Sequence, residues 1–227
     1  MEKIKKSKFE GIFWIGKKLA TINLTPGQKV YGEELVKSGN HEYRVWDIWR
    51  SKPAAAIFKG LKVFPITKGM KILYLGIASG TTGTHFSDIV EKEGIIYGVE
   101  ISERVLRELI PRAEKRGNII PILADSRKEE TYENIVMEQI DCVYCDVADP
   151  QEVEIFIRNC EKFLKHKGSG MMAIKSRSID VIKDPKIIYK ETIKKLEEKN
   201  FKILDFLTLD PYDKDHAFVV VSKSNLN

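Results

Sequence analysis

The chain has 227 residues, 43% hydrophobic and 31% charged, and 38 Lys and Arg against 33 Asp and Glu give a formal net charge of +5. That length supports one sizeable core with a small appendage, and the mild basic excess permits an anionic partner but lacks the dense basic stripe of a protein that grips nucleic acid unaided. No secretory signal or membrane helix is expected, because MEKIKKSKFEGIF leads into no apolar stretch of about 7–15 residues and no run approaches roughly 18 apolar residues; the expected compartment is the cytoplasm.

Residues 1–50 read as a small antiparallel β-rich module, in which GIFWIG, KKLATINL, QKVYGEELVKSG and HEYRVWD are punctuated by Gly27, Gly32 and Gly39. It is too short for a large core of its own and should pack against the remainder. Trp14, Trp46 and Trp49 fall in it or at its edge. They supply the module's core or, where exposed, a protein-binding face.

Residues 51–227 follow a different rhythm. KILYLG precedes a helix over about 82–91, GIIYGVE precedes SERVLRELIPRAEKR, and NIIPILAD precedes a short helical or irregular piece over about 127–138. IDCVYCDV then leads to a helix over about 150–165, and SGMMAIKS to DPKIIYKETIKKLEEKN. Strands alternating with helices predict a mostly parallel sheet covered on both faces. The ending breaks the pattern: FKILDFLTL and HAFVVVSK are joined only by DPYDKD, so they should form an antiparallel hairpin. A seven-stranded, mostly parallel α/β sheet with one antiparallel strand is the Rossmann-like core of class I methyltransferases. Cys142 and Cys145 make a C-x-x-C inside a strand, where residues three apart face opposite ways, so a redox or zinc pair is not expected.

The junction Gly76-Ile-Ala-Ser-Gly80-Thr-Thr-Gly83 lacks the lysine of a P-loop, and Ala78 stands where a dinucleotide loop has its second glycine. What remains is a small-residue loop where backbone can approach a ligand from Gly76 to Gly80, with Thr81 and Thr82 as caps and hydroxyl donors for the next helix. Glu100, Asp125 and Asp146 then stand at the ends of successive strands, the edge where open α/β sheets bind ligands. S-adenosylmethionine suits the set, with a ribose for Glu100, an adenine near Asp125 and a cationic amino-acid end near Asp146. A pyrophosphate suits an acidic rim less well.

YLGIASGTTGTHFSD, YGVEIS, NIIPILADSR, DVADPQ, MMAIKSRSID and LTLDPYDKDHAFVV run in order over about residues 44–222 and resemble the fibrillarin family of RNA 2′-O-methyltransferases, in the archaeal form without a Gly/Arg-rich tail. The resemblance implies cofactor contacts at Thr81, Thr82, Glu100, Ile101, Asp125, Ser126, Asp146, Val147, Ala148 and Asp149, where the family usually has Gln at the last position. It implies a catalytic set of Lys52, Asp146, Lys175 and His216, with Pro53 where Leu is commoner. It also implies work inside a particle with a Nop-type scaffold protein, a kink-turn-binding ribosomal-protein-like subunit, a box C/D guide RNA and an rRNA or tRNA substrate.

A ribose 2′-hydroxyl is a weak nucleophile, so a neighbouring group must take or share its proton. Lys175, at the mouth of its strand, serves as a neutral base if burial dominates, or as a positioning cation if Asp146 dominates. Lys52 follows Ser51, a candidate helix N-cap. A cation there implies either a depressed pKa or a nearby anion such as an RNA phosphate. His216 opens the last strand and could arrange the lysines. Asp210, Asp213 and Asp215 hint at a calcium loop, but Phe218 occupies its glycine position, so no metal is expected. Two other readings are a base, protein or small-molecule methyltransferase on the same sheet, and a non-catalytic subunit that keeps the fold for binding.

Overall fold

Alternation along the central strands builds two cores, one on each face of a single sheet. In a computed structural model describing residues 3–137 and 139–223, β6 (Lys71–Leu75) sends Ile72 and Tyr74 to one core and Leu73 and Leu75 to the other. β9 (Ile140–Cys145) does the same with Cys142 and Tyr144 against Val143 and Cys145, and β10 (Leu164–Lys175) with Met171 and Ala173 against Met172 and Ile174. The C-x-x-C pair is thus two buried thiols on opposite faces, each with its pKa raised by burial.

The strand order is β11-β12-β10-β9-β6-β7-β8, with β7 Ile95–Glu100, β8 Ile119–Leu123, β11 Phe201–Thr208 and β12 His216–Lys223. β12 is antiparallel to both β10 and β11, whereas β6–β10 pair in parallel. The hairpin therefore inserts its second strand inside the sheet and leaves the first at the edge. Chain order runs outward from the β6–β9 pair, through β7 and β8 on one side and β10 on the other, so the sheet's topological switch point lies there, at the carboxyl ends of those strands. α1 (Lys52–Phe58), α2 (Thr81–Val90) and α3 (Glu103–Arg116) contribute to the first core, and α4 (Glu152–Phe163) and α6 (Pro185–Glu198) to the second. The short α5 (Ser176–Ile179) follows β10. Residues 127–137 hold only a 3₁₀ turn, Glu129–Thr131, and turns; residue 138 lies outside the described residues.

The N-terminal strands β1 (Ile4–Lys6), β2 (Ile12–Ile15), β3 (Lys18–Ile22), β4 (Leu35–Ser38) and β5 (His41–Trp46) form an antiparallel sheet in the order β1-β2-β3-β5-β4. Its own cluster is small, centred on Ile15, Ala20 and Tyr43. Ile12, Leu19 and Trp46 instead enter the first core of the large sheet. Trp46 is buried against His85 of α2, with rings stacked 4.9 Å apart, so it belongs to a shared core rather than to a module core.

A buried ionic cluster joins the two sheets. Arg44 of β5 pairs with Glu33 at 2.7 Å and with Asp88 of α2 at 2.9 Å, and Arg116 of α3 reaches the other Asp88 oxygen at 2.6 Å. Thr21 donates its single proton to Asp88, so His85 must donate to Thr21 through Nδ1 and accept from Tyr31 through Nε2. Burial, with Arg44 and Arg116 nearby, holds the His85 pKa well below the ordinary histidine range and keeps the ring neutral. No helix among the described residues is long and apolar enough to cross a membrane.

Candidate active site

The chain turns sharply as β6 ends. Gly76 sits at φ +78°, and a Cβ there would lie 2.9 Å from the Asp146 carbonyl oxygen, so only glycine lets the ends of β6 and β9 meet. Asp146 N–H donates to the Leu75 carbonyl at 2.9 Å across the same gap. Ala78 N–H donates to Glu100 Oε2 at 3.0 Å, and Ser102 N–H to Oε1 at 2.9 Å, fixing the carboxylate beyond β7 over the loop. Arg112 of α3 holds the loop from behind through the Ser79 carbonyl.

Gly80 is the N-cap of α2, at φ +89°, and no side chain caps the helix. Its positive φ calls for glycine, and a Cβ there would also meet the end of the Leu109 side chain of α3 at 2.5 Å. Thr81 and Thr82 are the first helical residues, not caps, and Thr82 Oγ1 donates to Ser51 Oγ at 2.9 Å. Gly80, Thr81 and Thr82 do not line the cavity at the strand ends.

That cavity is about 320 Å³ in volume and lies at the switch point. Gly76, Ala78, Glu100 and Ile101 form one side, and Asp125 and Ser126 another. Asp146, Val147, Ala148 and Asp149 close it, with Lys175 at the β10 end. Val99, Arg127 and Ile155 line it too and were not singled out from the sequence. Arg127 clamps both oxygens of Asp125, at 3.0 and 2.8 Å, and stands 3.6 Å from Asp149. Hydrogen bonds from Arg127 hold the Asp125 pKa below the usual carboxylate range. The signal for it was a cation two residues after a strand-end acid, a spacing at which an Asp in a turn can accept from the residue two further on.

Beside the cavity lies an ionic cluster. Asp146 Oδ1 stands 2.8 Å from Lys175 Nζ and 3.1 Å from Lys52 Nζ, while Lys175 Nζ also donates to the Asp146 carbonyl at 2.6 Å. Tyr144 donates its hydroxyl to Asp146 Oδ2 at 3.2 Å. Lys52 reaches Asp213 at 3.6 Å, and Asp213 stands 2.9 Å from Nδ1 of His216, which also meets the Lys214 carbonyl at 2.7 Å. Four distant segments thus bring Lys52, Asp146, Lys175 and His216 together, with Asp213 as the link that the sequence reading missed.

The electrostatics follow from that crowding. Burial alone would raise the Asp146 pKa, but Lys52 and Lys175 outweigh it and hold the carboxyl below its ordinary range. Burial alone would lower the Lys52 pKa, but Asp146 and Asp213 outweigh it and raise it. Lys52 is therefore a firm cation, held by two aspartates of the chain itself. Ser51 is the N-cap of α1 by backbone geometry, yet its side chain makes no capping bond and faces Thr82 instead. Pro53 lies in the first turn, where the missing N–H costs no helical hydrogen bond.

The residues fit S-adenosylmethionine. Four carboxylates, Glu100, Asp125, Asp146 and Asp149, line the cavity against Lys175 and Arg127, an acidic excess that suits ribose hydroxyls and a cationic end and repels pyrophosphate. Ile101 lines the same cavity while 62% exposed, an apolar surface for a flat ring.

Residues 3–225 match the family model named Fibrillarin. The chain belongs to the fibrillarin family. It is 54% identical, over 97% of each chain, to the fibrillarin-like rRNA/tRNA 2′-O-methyltransferase of Sulfolobus acidocaldarius. The structure of an Aeropyrum pernix fibrillarin in complex with natively bound S-adenosyl-L-methionine superposes with a TM-score of 0.88 at 44% identity, covering 97% of this chain and all of that one. A fibrillarin in a fibrillarin/Nop5p complex superposes with a TM-score of 0.87 at 39% identity, covering 96% of this chain and all of that one. In this fibrillarin-family chain Asp149 Oδ1 accepts from Gln151 N–H at 2.8 Å and Oδ2 is turned to Arg127. That aspartate is engaged within the loop itself.

Proposed function

We infer that this chain transfers the methyl group of S-adenosylmethionine to ribose 2′-hydroxyls of rRNA and tRNA, as the catalytic subunit of a box C/D guide-RNA particle. The observation that carries the reading is Asp146 held by Lys52 and Lys175 between two openings. One is the cavity described above. The other is a groove of about 110 Å³ bounded by Trp49, Arg50, Lys52, Tyr212 and Asp213.

When bound, S-adenosylmethionine supplies a methyl group on a positively charged sulfur. Gly76, Ala78, Glu100, Ile101, Asp125, Ser126 and the stretch 146–149 would hold it, with Gly80, Thr81 and Thr82 at the adjoining helix start within the same loop. Lys175 commits two N–H bonds to Asp146, one to the carboxylate and one to the carbonyl. Once the Lys175 ammonium has given one proton to solvent, the amine keeps both bonds to Asp146 and one free lone pair for the hydroxyl proton. Lys52 stays charged and draws the attacking strand toward Asp146. His216 has Nδ1 committed to Asp213 and Lys214, which leaves Nε2 for the ribose. The second groove takes the RNA strand: Trp49 is 63% exposed and held by Tyr212 at 4.9 Å, with Arg50 beside it.

The modest net charge fits an enzyme delivered to RNA by others. A Nop-type scaffold, a kink-turn-binding ribosomal-protein-like subunit and the guide RNA complete the particle in this reading, in the cytoplasm. The test is transfer of labelled methyl to a target RNA in the reconstituted particle. A target lacking only the 2′-hydroxyl at the selected nucleotide should incorporate no label, and label on that target would sink the reading.

A further inference from the structure

Glu152 is the first residue of α4, lies under the end of β10 and is wholly buried. Its Oε1 accepts the main-chain N–H of Lys175 at 2.7 Å, whereas Oε2 has no hydrogen-bond partner among the described residues. The groups facing it are Lys175 from β10, Asp146 and the Cys145 thiol from the end of β9, and Lys52 from α1. A carboxylate at a helix N-terminus ordinarily stays ionised and serves its own helix. This one serves the neighbouring strand, shut away from water. As an anion it would compete with Asp146 for Lys175 and leave a charged oxygen unpaired in the core. Burial pushes its pKa up to about 8, against the opposing pull of the Lys175 amide and ammonium. The bond to Lys175 N–H needs only a carbonyl-type acceptor, which the uncharged acid provides.

We propose that Glu152 is a positioning residue whose uncharged carboxyl anchors the Lys175 backbone and leaves the Lys175 amine to Asp146 and the ribose hydroxyl. The proposal rests on the reading of Lys175 given above. A purely architectural carboxylate would change stability when replaced and nothing else. An uncharged anchor predicts instead that glutamine, which keeps the acceptor and cannot ionise, is a working substitute.

The experiment compares the full-length wild type, Glu152→Gln and Glu152→Leu, both free and in the reconstituted particle. In the free protein labelled with ¹³C at glutamate carboxyls, one carbonyl signal should titrate near pH 8 and be missing from Glu152→Gln. In the particle, Glu152→Gln should keep kcat within about twofold of wild type at pH 7, and the wild type should slow relative to it above about pH 8. Glu152→Leu should lose roughly tenfold or more in kcat with KM for RNA changed less than about threefold, and the Lys175 amide should exchange faster with solvent. The proposal is overturned if no glutamate titrates above the ordinary carboxyl range, if Glu152→Gln is as slow as Glu152→Leu, or if Glu152→Leu keeps the wild-type kcat. Should the leucine variant fail to fold, the carboxyl titration and the glutamine variant decide the matter. A wild-type particle that transfers no methyl refutes the parent reading, while the titration and amide exchange still judge Glu152.

Discussion

The molecule holds two ionic clusters made of nearly the same parts. At the junction of the two sheets, Glu33 and Asp88 meet Arg44, Arg116 and a histidine. At the strand ends, Asp146 and Asp213 meet Lys52, Lys175 and a histidine. The first cluster has side chains no more than 2% exposed, and its cations are guanidiniums. The second is 13–32% exposed, and its cations are ammoniums. Arginine keeps its charge and fills several acceptors in one plane, so it fixes a junction; lysine is a point charge whose proton can move, so it can do chemistry where a substrate reaches it. Cation type and access, more than the carboxylates, separate the fastening from the reactive centre.

The sharpest way to break that comparison is to exchange the consequences of mutation. Arg44→Met should destabilise the fold by about 3–5 kcal/mol, because Glu33 and Asp88 are left charged and buried, measured by urea unfolding. Lys175→Ala should destabilise far less than Arg44→Met, because Lys52 still pairs with Asp146, and reduce methyl transfer about 10²- to 10⁴-fold. If instead Arg44→Met were neutral for stability while Lys175→Ala unfolded the protein, the division of labour would be wrong. Glu100→Ala removes the acceptor of two loop N–H groups and a partner for the ribose diol. It should weaken cofactor affinity about ten- to hundredfold by calorimetry, with RNA affinity unaltered.

Stability against pH sharpens the comparison further. Asp146 has a depressed folded pKa, so its contribution is present above the unfolded value of 3.8 and lost as pH falls through the folded one. Lys52 has a raised pKa, so its contribution is present below 10.5 and lost only as pH climbs past the folded value. Between those limits the pair contributes a constant amount. Glu152 binds a proton in the folded state that the unfolded chain has released, between 4.5 and about 8, so stability should fall as pH rises through that window. The Glu152→Gln protein should show a flatter profile there in chemical unfolding at a series of pH values. The smallest expected effect is that of Trp49→Ala, a rise of about threefold in KM for RNA at unchanged kcat; a drop in kcat alone would argue against an RNA strand in that groove.

The order of elements was legible because periodicity is a local property. The alternation of KILYL, IDCVYC and GMMAIK marks strands buried on both faces, and three acids at strand ends mark a ligand edge without any knowledge of pairing. The packing partners of glycine and threonine in the loop were not legible. Gly80 packs beside Leu109, nearly thirty residues on, and Thr82 bonds Ser51 in another element, contacts that no local spacing reveals. Trp46 could be assigned to an aromatic core but not to which one, since that depends on how the two sheets meet.

The sequence alone determined that a mostly parallel sheet would present Glu100, Asp125, Asp146 and Lys175 at one edge, because side-chain alternation and strand direction follow from short-range geometry. Only the tertiary structure decided the charge states there. Lys52 is a cation because Asp146 and Asp213, 94 and 161 residues away along the chain, lie within 3.1 and 3.6 Å of it. Glu152 is driven toward its neutral form because the core closes over it. Coulomb attraction and desolvation depend on distance through space, and folding alone sets that distance.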